Sequence, residues 1–389
     1  MRQNLNAFFL LAIIGATILA GCSDGPRPRQ TPPADDTLTV VDLAGRTLTL
    51  KRPIKRIVLM RSLCIYELAT VLGDEVEEKL VGWDSSLKTG DQDAYEKFVQ
   101  RYPGLKELNV LGDVLRDTVS AEAVLALNPD LVIMSTYMRD RNSKGLERLE
   151  DAGVPLLYLD FTDPFRDPQR SILLLGEVLG KQQRAEAAAA WIDRQFAEVT
   201  GRLEKIDSPA PRIYLEAGTL GASQYGNTFG SDDHGKLANW GSVMDQLRCR
   251  NVAAGSVSGM YGMGVISPEL LLTEDPQVIV ITGAHWTAFP DSLRLGYFAD
   301  PEQTERQLSE YANRPGWSNL QAVKSGRVHA IHTRFGGHIT CFAAAQQLAK
   351  WLYPNELETL DPEARLREYH ERFMPIEYSG AWMTSLKDE

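Results

Sequence analysis

Side chains able to grip an anion or a flat ring recur wherever the expected strands of this sequence run out. Arg61 follows the apolar run 56–60, Trp83 and Asp84 follow 79–82, and Tyr137, Arg139 and Arg141 follow 131–134. In the second half Tyr225 lies beyond the run 212–216, His285 and Trp286 follow 278–281, and Arg334 and His338 follow 328–331. Guanidinium groups beside aromatic rings bind anions through charge-assisted hydrogen bonds and flat cationic or π surfaces through ring contacts. They stand out in a chain whose formal net charge is -11. The combination suits a large anionic, partly flat ligand. A ferric siderophore or citrate-like chelate fits, and a corrinoid fits nearly as well. Each residue also has a plainer account, the arginines as solvated surface charges and Trp83 and Trp286 as packing at an edge.

Resident metal chemistry and catalysis find less support. All six histidines lie at or after His234, so the first half offers none to a metal shared between halves. A zinc cage there would have to borrow Asp84 or Glu67. Ligation of haem iron by His285, His338 or Tyr137 stays open, whereas His329 and His332 flank a strand and read as structural. The sequence has no G-x-S-x-G elbow, no H-E-x-x-H and no phosphate-cradling G-x-x-x-x-G-K-[ST]. The glycine-rich stretch 255–264 does not follow a strand and reads as a cleft loop. No enzymatic activity, resident cofactor or resident metal is expected, and the acidic balance argues against nucleic acid.

Short continuous apolar runs alternate with helical segments through both halves, the pattern of a parallel sheet covered on both faces. A hairpin is expected over 37–50 around Gly45, and strands at 56–60, 79–82, 131–134 and 156–159, with helices 63–72, 121–127 and 144–152. The second half gives strands at 212–216, 278–281 and 328–331, helices at 243–247, 268–272 and 301–312, and a helical region over 343–370. Between the halves lie a short helix, Ser171 to Leu179, and a long one, Gln182 to Ile206, whose Ile192, Phe196, Val199, Leu203 and Ile206 make one apolar stripe. At about 1.5 Å per residue the long helix would span roughly 35–40 Å as a stiff beam. Residues 120–133 and 267–280 match position for position, each with a serine cap, a glutamate two residues on, an Asx-Pro stop and a buried strand. The fold class expected is therefore α/β, two pseudo-repeated lobes with mostly parallel sheets joined by one long helix. Ligands of open α/β sheets sit beyond the carboxyl ends of the strands, which places the residues named above in one interlobe cleft.

The chain opens with Arg2, a polar pair and the apolar run Phe8 to Ala20, too short for a stable bilayer span. Leu19-Ala20-Gly21-Cys22 resembles the lipobox of bacterial lipoproteins, which implies cleavage before Cys22 and lipid on its thiol. The proline-rich stretch that follows reads as a tether. Division is expected into a signal peptide (1–21), a lipid-anchored tether (22–36), an N-terminal lobe (37–165), linker helices (166–208) and a C-terminal lobe (209–389). Cys249 and Cys341 are placed either to bridge or to remain buried thiols.

A signal, a tether and two similar α/β lobes on one long helix resemble the class III substrate-binding proteins of ABC importers, which serve ferric siderophores, haem and cobalamin. The most specific stretches are 125–133 (LALNPDLVI) and 314–328 (RPGWSNLQAVKSGRV). The resemblance implies a non-catalytic, monomeric receptor, anchored by lipid on the periplasmic or outer side of a bacterial membrane. It would deliver an Fe(III) chelate to a permease and its ATPase. By the family motif, Glu122 and Glu269 would meet arginines of the permease, although each is also a helix-capping carboxylate near an N-terminus.

Overall fold

The computed structural model describes residues 36–141, 143–230, 239–257 and 262–387. Cys22, the signal, nearly all of the tether and residues 258–261 of the glycine-rich loop lie outside the described residues. Strands β1 (Thr37–Val41) and β2 (Thr47–Lys51) pair as the expected antiparallel hairpin. The first half continues through β3 (Ile57–Leu59), α1 (Ile65–Leu72), α2 (Val76–Lys79), β4 (Leu80–Trp83), α3 (Ser86–Gly90), α4 (Gln92–Arg101), β5 (Asn109–Val110), α5 (Ala121–Ala126), β6 (Leu131–Ser135), α6 (Lys144–Asp151) and β7 (Leu156–Leu159). Strands β3 to β7 form one parallel sheet in the order β5-β4-β3-β6-β7. Every residue of β3, β6 and β7 is buried, as a strand covered on both faces requires. From β3 the chain turns one way to β4 and later the other way to β6, so the crevice of this sheet opens between the ends of β3 and β6, where Arg61 and Tyr137 stand.

Two helices follow, α7 (Asp167–Leu179) and α8 (Gln182–Leu203), with Gly180 between them in the left-handed conformation. The second half comprises β8 (Arg212–Ala217), β9 (Thr228–Phe229), α9 (Trp240–Asp245), β10 (Arg250–Asn251), β11 (Met263–Gly264), α10 (Pro268–Glu274), β12 (Val278–Gly283), α11 (Pro301–Ala312), α12 (Gln321–Lys324), β13 (Val328–His332), α13 (Cys341–Leu352), α14 (Pro362–Phe373) and β14 (Met383–Ser385). Its sheet runs β11-β9-β8-β12-β13-β14, with β10 also paired to β8. The parallel expectation holds for β8, β10, β12 and β13, while β9, β11 and β14 are joined antiparallel.

The internal repeat is carried into the backbone at its cap and its stop. Ser120 and Ser267 cap α5 and α10 by accepting the N–H three residues on, each at 3.2 Å. Asn128 and Asp275 then both turn the chain through positive φ, 45° and 44°, before β6 and β12 begin. The long helix is not a bare strut. Its Trp191 ring meets Phe342 of α13 and Tyr369 and Phe373 of α14, while α7 and α1 cover other faces. One apolar core therefore runs from the first sheet through α7 and α8 to α13 and α14. Cys64, Cys249 and Cys341 are free thiols, so Cys249 and Cys341 do not bridge.

Candidate functional site

The carboxyl ends of the two sheets meet along a polar seam. At the end of β3, Arg61 lies over the Tyr137 ring, 4.6 Å from its centroid, and donates to the Tyr137 hydroxyl; Phe161, after β7, lies on another side of the same guanidinium. From the second half Arg334 donates to the Gly90 carbonyl at 2.7 Å. Both Nε atoms, of Arg61 and of Arg334, are buried and have no acceptor among the described residues. Burial holds the Arg334 guanidinium below its ordinary pKa, and the like charge of Arg61 adds to this while Asp91 opposes it. Two cations from opposite halves thus share one poorly solvated space.

Carboxylates and imidazoles line the same seam. Glu67 on α1 is fully buried; its Oε1 accepts from the Ile339 N–H at 3.1 Å and lies 3.3 Å from His338 Nδ1. Burial lowers the His338 pKa, with Glu67 opposing. A neutral imidazole donating from Nδ1 to Glu67 presents a lone pair at Nε2, which is buried and unpartnered. Asp91 caps α4, accepts from the Tyr66 hydroxyl at 3.3 Å, and is pushed by burial to a pKa of about 6. His332 lies 3.8 Å from it and is held well below the ordinary histidine value, chiefly by burial. Asp84 accepts from both the backbone and the side chain of Ser62 and of Ser86 through Oδ1, fixing the loops after β3 and β4.

Of the residues expected at a ligand, Arg61, Tyr137, Arg334 and His338 come together. His285 and Trp286 lie further along the seam, half-buried, with His285 Nδ1 2.7 Å from Asp93 of the first half. The others go elsewhere. Trp83 is the last residue of β4, not the first beyond it, and its ring is buried in the core against Tyr95. Arg139 is exposed and donates to Ala44 in the hairpin turn. Tyr225 accepts from the Trp317 indole N–H at 2.8 Å and covers Arg314, inside the second half. Glu122 and Glu269 are exposed in the first turns of α5 and α10; Glu122 pairs with Arg148 at 3.1 Å, and Glu269 has no ion pair among the described residues.

Sequence reasoning missed Asp91, Asp93 and Arg294. A signal for the first two existed, since Asp91 precedes Ala94, Tyr95, Phe98 and Val99 at helical spacing, the mark of a capped amphipathic helix. Among the described residues no group of three or more His, Cys, Asp or Glu side chains is arranged to hold a metal ion. What the seam supplies is a set of buried hydrogen-bond donors and acceptors contributed by both halves.

The fold and seam are those of an α/β protein with two sheets facing one another, and comparison with known proteins gives the family. Residues 70–334 match the model of the periplasmic binding protein family, and the chain belongs to that family. It is 24% identical to an uncharacterized ABC transporter substrate-binding lipoprotein, YvrC, of Bacillus subtilis, over 91% of this chain and 98% of that protein. It is also 24% identical to the molybdate-binding protein MolA of Haemophilus influenzae, over 87% and 91% of the two chains. The crystal structure of the TroA-like periplasmic binding protein FepB from Veillonella parvula shares 30% identity and a TM-score of 0.82, covering 90% of this chain and 99% of that one. The protein is thus a substrate-binding protein of an ABC transporter, a class that binds small ligands and works with a permease and an ATPase, not an enzyme. Among the described residues no helix is long and apolar enough to cross a membrane.

Proposed function

We propose that the protein captures an anionic Fe(III) chelate, a ferric siderophore or a citrate-like complex, between halves 37–165 and 209–389, with 166–208 as the linker. The observation that carries this is the pair of guanidinium groups, Arg61 and Arg334, facing one seam from opposite halves with buried, unpartnered Nε atoms. Tyr137 and His338 add a hydroxyl and an acceptor nitrogen beside them. One observation favours a second reading, a compact oxyanion: the halves already touch through Arg334 and Gly90, leaving a ligand little room, and the Haemophilus relative is named for molybdate.

Intrinsic tryptophan fluorescence separates the two, read from Trp286 at the seam, since Trp83 is locked in the core. Saturation by ferric citrate or a ferric catecholate at or below about 1 µM, near -8 kcal/mol, supports the chelate, whereas saturation by a neutral ferric hydroxamate alone would contradict its anionic charge. Saturation by molybdate alone supports the oxyanion, haem or cobalamin alone would change the cargo class, and silence from all would reject both readings.

Delivery is proposed through Glu122 and Glu269, set at matching positions of the repeat. A helix preceding a parallel strand begins at the carboxyl edge of the sheet, so both carboxylates stand on the side of the seam. Glu122→Ala with Glu269→Ala is expected to leave ligand affinity intact and abolish uptake; normal uptake by the double variant removes the idea. Cys22 is proposed as the lipid anchor on the outer side of the membrane, and an unacylated Cys22 in the mass spectrum of membrane-extracted protein would refute it.

A further inference from the structure

The two halves are held by two unlike contacts. Behind α8 they share an apolar core, in which Trp191 packs against Phe342, Tyr369 and Phe373. Where α4 meets the second half, beside the core residue Tyr297, a second contact centres on one carboxylate. Asp93, in the first turn of α4, is 1% exposed and takes all its partners from the other half. Its Oδ1 accepts from Arg294 Nη2 at 3.1 Å and His285 Nδ1 at 2.7 Å, and its Oδ2 from the Phe298 N–H at 2.9 Å. Gly296 sits beside it at φ 131°, where an added Cβ would lie 3.1 Å from Oδ2, so the backbone there is shaped to admit the carboxylate. Two backbone hydrogen bonds cross alongside, Gln92 N–H to His285 O at 3.0 Å and Thr287 N–H to Thr89 O at 3.2 Å. Lys97 reaches across to Ser379 at 3.0 Å.

These contacts differ in what separation costs. Parting the apolar core exposes hydrocarbon to water with no compensation. Parting the Asp93 contacts exchanges protein hydrogen bonds for hydrogen bonds to water and rehydrates a buried carboxylate, so most of that loss is recovered. We propose that Asp93 is a reversible clasp: the halves pivot on the shared core around α8, and the clasp of Asp93 with Arg294, His285 and Phe298 sets how often the seam opens. The proposal goes beyond the cargo reading and does not depend on which ligand binds.

Hydrogen exchange on the ligand-free protein tests it. In Asp93→Asn the two crossing amides, Gln92 and Thr287, should exchange at least about tenfold faster than in the unaltered protein, while amides of β6 and β12 keep their protection. Arg294→Gln, which leaves the carboxylate two of its three donors, should give a smaller acceleration at the same two amides. If the crossing amides exchange at the original rate in a variant whose sheets are intact, Asp93 is no clasp. If β6 and β12 lose protection together with the seam in both variants, Asp93 is a plain core residue and the proposal falls equally.

Discussion

Arg314 and Arg334 sit twenty residues apart in the second half, both largely withdrawn from water, yet only one of them is finished. Arg314 faces Glu216 with two hydrogen bonds, 2.8 and 2.9 Å, and spends its remaining donors on the carbonyls of Ala222, Gly221 and Gln224. Tyr225, Tyr311 and Trp317 enclose it. Glu216 is completed in turn by the Tyr214 hydroxyl and the Gly226 N–H. Among the described residues Arg334 donates to Gly90 O, has a buried Nε without an acceptor, and makes no ion pair, although the charge of Asp91 acts on it. Arg61 across the seam is similarly incomplete. A saturated buried arginine is a pillar that pins the loop after β8, whereas an unsaturated pair from opposite halves keeps donors for something else to accept.

Arg314→Met leaves Glu216 buried without its charge partner and should cost about 3–5 kcal/mol in denaturant unfolding. A loss under about 1 kcal/mol would show that the two arginines do not differ in kind. Arg334→Gln and Arg61→Gln should behave oppositely, weakening an anionic ligand by at least about tenfold each while moving stability by less than about 1 kcal/mol. A neutral ligand should be little affected by either.

The smallest effect concerns pH. The Asp91 pKa is raised to about 6, so its contribution to stability is present below the ordinary carboxylate range and is lost as pH rises through about 6. Burial lowers His329 to about 3 and His370 to about 4, so their contribution is present above about 6.5 and is lost as pH falls. The two trends oppose each other between pH 5 and 7. Asp91→Asn removes the carboxylate's part, and the gain in stability from pH 5 to pH 7 should increase by about 1 kcal/mol, measured by urea unfolding at both values. An unchanged or smaller gain would mean that Asp91 is ionised throughout, held by Arg334 as tightly as Glu216 is by Arg314.

Much of this architecture is legible in the sequence because it is local. Strand runs, the left-handed stops at Asn128 and Asp275 and the serine caps at 120 and 267 are decided within a few residues, and so the repeat is visible in the sequence. The seam is only half legible. Arg61, Tyr137, Arg334 and His338 follow from knowing where strands end. Trp83 fails the same rule by one position: β4 runs one residue further than its apolar run suggests, which turns the indole inward. Asp93 and Arg294 escape because a carboxylate and its cation two hundred residues apart leave no local trace. The antiparallel strands β9, β11 and β14 are too short to carry a period. Tyr225 was drawn away by Trp317 and Arg314, a partner choice that only packing reveals.

The central claim is that Arg61 and Arg334 hold an anionic cargo between the halves. Calorimetric titration of the unaltered protein and of the Arg61→Gln, Arg334→Gln double variant with ferric citrate and with molybdate tests it most directly. The unaltered protein should bind one of these anions at micromolar or tighter affinity, and the double variant should lose at least about a hundredfold. Equal binding by the two proteins would contradict it.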